Sequence, residues 1–343
     1  MKALVLQKPG EFALEERPKP QPMGDEVLFR IRQAGVCGTD IHSYRGTQPF
    51  LSYPRIVGHE LTAEVAEIPA NARSLAENLK EGDVVSILPY LCCHKCIACR
   101  KGKTNCCVSL KTLGVHVDGG MQEYLSLPAF YGVPAPGISE QDIALVECFA
   151  IGFHGVRMAE PQGGEIALVV GTGPIGLGVI HGLKERGIKV IAMDINNQRL
   201  SYAKKIARSD HTINSQEEDP EKALDSLTGG EMPSLVFDAT GNSGQMMKAF
   251  NYVCAGGCIV YVGLVRDDIT FSDHVLHAKE ITLRASRNAT KEDFNNVIAG
   301  LKSGRVNTSG FVTHRAHLDE VPAAFASWAN PETGCIKGVV SIV

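Results

Sequence analysis

Apolar residues recur along this chain with two rhythms, and the change between them falls near residue 165. Before it, Val27, Phe29 and Ile31 alternate with Leu28, Arg30 and Arg32, the period of a half-buried strand. Short runs at Lys2–Leu6, Leu61–Ile68 and Val84–Leu88 continue the pattern, broken by Pro18, Pro20, Pro22, Gly24 and Gly82. Residues 1–150 therefore predict a small, loop-rich β barrel or sandwich. After the change, Ile166–Val170 is a continuous apolar run, Ile175–Arg186 has helical spacing, and Val190–Met193 is apolar again. A polar helix is predicted around Gln198–Ala207, with strands at Leu235–Ala239 and Cys258–Val262. Strands buried on both faces, with helices between them, predict an α/β domain with a doubly wound parallel sheet over 151–286. Residues 287–343 mix a helix over Lys291–Leu301 with short β runs.

Composition narrows the functional classes. A length of 343 residues fits two domains at about 150 residues each. With 34 basic and 38 acidic residues the net charge is −4, and no basic run stands out, so nucleic-acid binding has no electrostatic support. No apolar stretch approaches the roughly eighteen residues of a membrane span. The opening MKALVLQKPGEF has too short an apolar run for a signal peptide, which sets the expectation of a cytoplasmic protein with reduced thiols. In that setting, clustered cysteine reads as metal-binding.

Cys93, Cys96, Cys99 and Cys107 follow the spacing C-x2-C-x2-C-x7-C. Four thiolates so close can wrap a tetrahedral zinc with no open position, which defines a structural site. Lys101, Gly102 and Asn105 supply the chain reversal that such a knuckle needs. The pairs Cys92/Cys93 and Cys106/Cys107 leave two registers. The register with Cys93 and Cys107 repeats its first three ligands every third residue and leaves Cys92 and Cys106 as spare small hydrophobes. His94, between ligands, is expected to be an exposed loop residue.

A second motif follows the predicted strand Ile166–Val170. Gly171-Thr-Gly173-Pro174-Ile175-Gly176 opens a helix, the context that makes G-x-G-x-x-G a dinucleotide fingerprint. Gly171 permits the tight turn, Gly173 lets the backbone approach a pyrophosphate, and Gly176 allows helix–strand packing. The helix N-terminus then offers free N–H groups to the phosphates. Asp194 ends the next strand, 18 positions after Gly176. A carboxylate there accepts from the ribose hydroxyls and repels a 2′-phosphate, so the expected cofactor is NAD. Arg199, five positions further on, weakens that exclusion slightly.

The remaining candidates suggest a second, catalytic zinc, which needs about three protein donors and an open position. Cys37 and His59 are candidate donors, with Glu60 or Glu147 completing the set. Asp40 is placed to accept from the second nitrogen of His59 and fix its tautomer.

Taken in order, Gly-Val-Cys37-Gly-Thr39-Asp40-Ile-His42, Gly58-His59-Glu60, the four-cysteine lobe, Gly114-Val-His116-Val-Asp118-Gly-Gly120 and the GTGPIG loop resemble the zinc-dependent medium-chain alcohol dehydrogenases. The likeness is to their sorbitol/polyol and threonine dehydrogenase branch and covers nearly the whole chain. It implies a GroES-like β-rich catalytic domain (1–150) interrupted by a Rossmann domain (151–286), with 287–343 returning to the catalytic domain. It also implies two zinc ions per chain, with Cys37, His59 and Glu147 or Glu60 at the catalytic one, and a proton relay through Thr39 and His42. That branch commonly has Glu-Pro where this chain has Glu147-Cys148, so Cys148 competes as a ligand; the family register favours Glu147.

Further fragments resemble bacterial sugar-acid dehydrogenases: Thr47-Gln-Pro-Phe50, Ser52-Tyr-Pro-Arg55, Ser286-Arg287-Asn-Ala-Thr290 and Thr313-His-Arg315. The substrate implied is a polyol or sugar acid, with a carboxylate-bearing compound such as L-galactonate leading. Arg287 is the candidate for binding that carboxylate, or alternatively the Glu147 or Glu60 carboxylate beside zinc. Association as a homodimer or homotetramer is expected.

Overall fold

The computed structural model describes residues 1–330 and 333–342. The chain forms two compact units, one of Met1–Glu147, Thr290–Ile298 and Thr308–Val343, the other of Cys148–Ala289 and Ala299–Asn307. In the first unit the strand Glu26–Val36 is the spine. It pairs antiparallel with Glu60–Glu67, Tyr124–Pro128 and Lys337–Ser341. The sequence alternation puts Leu28 on the polar face, but it is as buried as Val27 and Phe29. A register shift between Leu28 and Phe29 breaks the strict alternation there, and neighbours cover the strand along both edges.

The late strands Val312–His317 and Lys337–Ser341 extend this same sheet. Register pairs Gly338 with Val36 and Gly35 with Glu60, so the chain from 337 onward runs beside the residues around Cys37 and His59. A smaller sheet joins Lys2–Lys8 to Glu11–Glu16 and Arg55–Ile56.

The second unit contains a six-stranded parallel sheet. Its spatial order is His211–Asn214, Lys189–Asp194, Ile166–Val170, Leu235–Asp238, Cys258–Tyr261 and Thr282–Ala285. The order reverses between Ile166–Val170 and Leu235–Asp238, the switch point at which doubly wound sheets open a ligand crevice. Leu168, Val170, Ile191, Met193, Val236 and Ile259 fill the core under the helices. In this unit the predicted strands and the helices Pro174–Glu185 and Asn197–Lys205 form within two residues of their expected limits, as does the helix Lys291–Lys302, whereas the strand expected over 27–32 runs on to Val36.

The helix Val146–Ala159 carries no readable stripe, because Val146, Glu147, Cys148, Phe149 and Ala150 are all buried. A helix apolar on every side has no polar face to set its period. Glu147 thus starts a buried helix. Among the described residues no helix is long and apolar enough to cross a membrane.

Candidate functional site

The four-cysteine lobe closes on itself. Ligand atoms of Cys93, Cys96, Cys99 and Cys107 all lie within 4.8 Å of one another, with Cys96 and Cys99 Sγ 3.5 Å apart. A tetrahedral zinc with Zn–S near 2.3 Å sets its sulfurs about 3.8 Å apart, so this set fits the ion. Backbone N–H groups help prepare thiolates: Cys96 N–H donates to Cys93 Sγ at 3.4 Å and Cys93 N–H to Cys107 Sγ at 3.3 Å. N–H groups of Lys95 and Cys96 lower the Cys93 thiol to about 6, whereas burial and its neighbours push Cys99 up to about 12. Neither of the two spare cysteines is a core residue: Cys92 is half-buried. Cys106 is exposed, and Cys92 Sγ lies 3.5 Å from the Nε2 of His94, itself exposed.

The second donor set is assembled from distant segments. Cys37 precedes the short helix Gly38–Tyr44, and Asp40 on that helix ties two loops together. Its Oδ2 accepts from Cys37 N–H at 2.9 Å and its Oδ1 from Gly58 N–H at 3.2 Å, which brings Cys37 and His59 side by side. Ligand atoms of Cys37, His59 and Glu60 lie within 4.8 Å of one another. The expected hydrogen bond from His59 to Asp40 is not formed. His59 Nδ1 is 3.8 Å from Asp40 Oδ1 and, though buried, has no hydrogen-bond partner. Burial opposes a charge on His59, but Asp40, Cys37 and Glu147 outweigh it and raise its proton affinity well above the ordinary value. A site so strongly attractive to a cation, built from thiol, imidazole and carboxylate, fits a zinc ion.

The two carboxylates are held by partners that sequence reasoning missed. Lys337 Nζ is buried and donates to both oxygens of Glu60 at 2.7 Å and to Val36 O at 3.2 Å. The missed signal was a lysine inside the otherwise apolar run Ile336–Val340. Glu60 in turn leaves no room opposite it: a Cβ on Gly35 would stand 2.2 Å from Glu60 Oε2. Glu147 accepts from the Tyr90 hydroxyl, and burial raises its carboxyl to about 7, with His59 pulling the other way. Cys148 is fully buried.

Thr39 sits on the first turn of Gly38–Tyr44, half-buried, and His42 follows three residues later, exposed. Residues at that spacing are neighbours on a helix surface. His42 Nδ1 lies 2.9 Å from Thr47 Oγ1. Arg287 is exposed, two residues beyond the edge strand Thr282–Ala285.

In the second unit the fingerprint loop has the expected form. Gly171 takes φ +88°, closed to most side chains, and a Cβ on Gly176 would meet Gly171 O at 1.8 Å. Pro174 and Ile175 open the helix Pro174–Glu185, which Gly173 precedes. Asp194 is buried at the end of its strand and accepts from Thr172, at the middle of the loop. Arg199 Nη1 lies 3.9 Å from where a Cβ on Gly173 would stand, which places the guanidinium beside the loop.

Comparison with known proteins defines the class. Residues 174–303 match the family described as zinc-binding dehydrogenase, and residues 23–137 the alcohol dehydrogenase GroES-like domain. The chain is 39% identical over 341 residues to L-galactonate-5-dehydrogenase of Escherichia coli K12, covering 99% of each. It is 30% identical over 333 residues to a sorbitol dehydrogenase of Halalkalibacterium halodurans, covering 95% of each. An Escherichia coli CFT073 alcohol dehydrogenase solved with NADH superposes with a TM-score of 0.92 at 28% identity, over 100% of this chain and 99% of that one. The chain belongs to the zinc-type medium-chain alcohol dehydrogenase family: an oxidoreductase with a GroES-like domain and a Rossmann-type parallel sheet.

Proposed function

We propose that the chain oxidises a secondary alcohol of a sugar acid to a ketone with NAD⁺, with L-galactonate as the leading substrate. The observation that carries this reading is the meeting of Cys37, His59 and Glu60, with Glu147 buried at their side. When bound, zinc and NAD⁺ supply a Lewis acid for the alcohol oxygen and an acceptor for the hydride. Cys37 and His59 hold the metal. Glu147 completes the set, because Lys337 donates to both oxygens of Glu60 whereas the donor on Glu147 is the neutral hydroxyl of Tyr90. Thr39 takes the alcohol proton and His42 passes it outward, since the pair steps from half-buried to exposed along one helix face.

Asp194 selects the cofactor by its charge, and the Gly171–Gly176 loop receives the pyrophosphate. Arg287 pairs the substrate carboxylate through the bidentate geometry that a guanidinium offers. The 39% identity to an L-galactonate dehydrogenase supports the acid over a neutral polyol. The exposed edge strand Thr282–Ala285 supports assembly of copies of the chain, which light scattering checks.

The test is NADH formation by zinc-loaded protein on L-galactonate, sorbitol and L-threonine. The proposal expects L-galactonate to give the highest kcat/KM, and Arg287→Leu to harm its oxidation more than that of sorbitol. A better rate on sorbitol or threonine overturns the sugar-acid assignment.

A further inference from the structure

Four donors of the protein hold the carboxylate of Asp194. Its Oδ2 accepts from the Thr172 N–H at 2.6 Å and from the Thr172 hydroxyl at 2.9 Å. Its Oδ1 accepts from the N–H groups of Ile195 at 2.8 Å and Asn196 at 3.0 Å. Two donors on each oxygen hold the carboxylate fixed from within the protein, and a ribose hydroxyl would share an oxygen with them. Three of the four are backbone groups, supplied by the fingerprint loop and by the turn after the strand whatever side chains stand there. Only the fourth, the Thr172 hydroxyl, belongs to a side chain.

Thr172 lies between Gly171 and Gly173 and is fully buried, so its hydroxyl meets Asp194 out of contact with solvent. The next crevice loop offers a comparison. Asp238 accepts from Thr240 N–H at 3.0 Å and from its hydroxyl at 2.9 Å in the same manner. Asp238, however, is 0% exposed, whereas Asp194 keeps 8% of its surface open. A threonine-gripped aspartate is thus a device this sheet uses twice, and only one of the two presents an edge to a ligand.

We propose that Thr172 is a positioning residue for cofactor choice: its hydroxyl fixes the Asp194 carboxylate in the orientation that receives the ribose hydroxyls and opposes a 2′-phosphate. The proposal rests on the reading of the chain as NAD-dependent. Without the hydroxyl, Oδ2 keeps a single bond and the carboxylate turns more freely. Ribose hydrogen bonds then lose their aim, and an added phosphate meets a charge that can swing away.

The test uses full-length, zinc-loaded protein and titrates NADH and NADPH separately by fluorescence. Thr172→Val keeps the β-branched shape and the N–H while removing the hydroxyl; Thr172→Ser restores it. Wild type is expected to bind NADH more tightly. Thr172→Val should weaken NADH about tenfold, as the ribose hydrogen bonds to the charged carboxylate lose alignment, and leave NADPH unchanged or tighter. Thr172→Ser should regain the wild-type preference. If Thr172→Val does not fold, Thr172→Ala is a hydroxyl-free variant that adds no bulk. An unchanged NADH:NADPH ratio in the hydroxyl-free variant overturns the proposal, as does parallel weakening of both cofactors. Wild type that prefers NADPH overturns the underlying NAD reading, and is recognised before any substitution is made.

Discussion

The four-cysteine lobe and the Cys37–His59 centre offer zinc-type donors in the same unit, yet they are assembled in opposite ways. The lobe takes all four cysteines from the 15 residues 93–107, and the hydrogen bonds among them stay within the same stretch. The centre draws on residues 37, 40, 59, 60, 90, 147 and 337, and its carboxylates are held by groups far away in sequence. A closed thiolate shell satisfies itself, whereas a centre that keeps one position open relies on surrounding groups to set its charge. The lobe should therefore govern stability and the centre turnover.

Cys96→Ser tests the first half of that division. It should cost one zinc per chain and several kcal/mol of stability, a part of the roughly 10–16 kcal/mol that a structural zinc brings to a small site. Metal analysis and a urea titration check it, and kcat of the surviving folded fraction should stay near wild type. Within the centre, Lys337→Met strands the Glu60 carboxylate in the interior. The expected loss is roughly 3–5 kcal/mol, with Lys337→Arg much milder, again read by urea unfolding. Equal losses in Met and Arg variants would mean that packing, not charge, is what Lys337 supplies.

Glu147→Ala should lower kcat/KM by about a hundredfold, near 2.7 kcal/mol, without disturbing the lobe zinc, while Cys148→Ala stays close to wild type. The opposite ranking would falsify the ligand assignment. The smallest effect lies outside both sites. His181 in the helix Pro174–Glu185 is buried against Phe149, and burial, with Arg208 adding to it, lowers its pKa to about 4. Because the folded value lies below the unfolded one, the unfolded chain binds the extra proton. Stability from this group is present above about pH 6.5 and is lost as pH falls toward 4, by roughly 2 kcal/mol at pH 5. His181→Leu should flatten that part of the stability profile.

The same contrast explains what the sequence revealed. The lobe and the GTGPIG loop are written in consecutive residues, so spacing alone exposes them, and the parallel strands appear as apolar runs with helices between. Cys37, His59, Glu60 and Glu147 were visible as residue types, but separately each suits a core or turn role. Only the combined family pattern joined them. The ion pair of Glu60 with Lys337 spans 277 residues and needs the register that sets the last strand beside Glu26–Val36. Tyr90 is likewise invisible as the donor to Glu147 until tertiary packing buries both. The helix Val146–Ala159 escaped because its burial leaves no stripe, and the missing His59–Asp40 hydrogen bond concerns a spacing of 3.8 Å that no motif encodes.

Removing zinc stepwise tests the division of labour most directly. The fully loaded protein is titrated with a chelator while zinc per chain, NADH formation and far-UV circular dichroism are followed together. The centre, with its exchangeable position, should lose its ion first, so activity should vanish with the first zinc while the second zinc and the fold remain. Activity that survives the first loss, or that falls only when the four-cysteine lobe is emptied, would contradict the account.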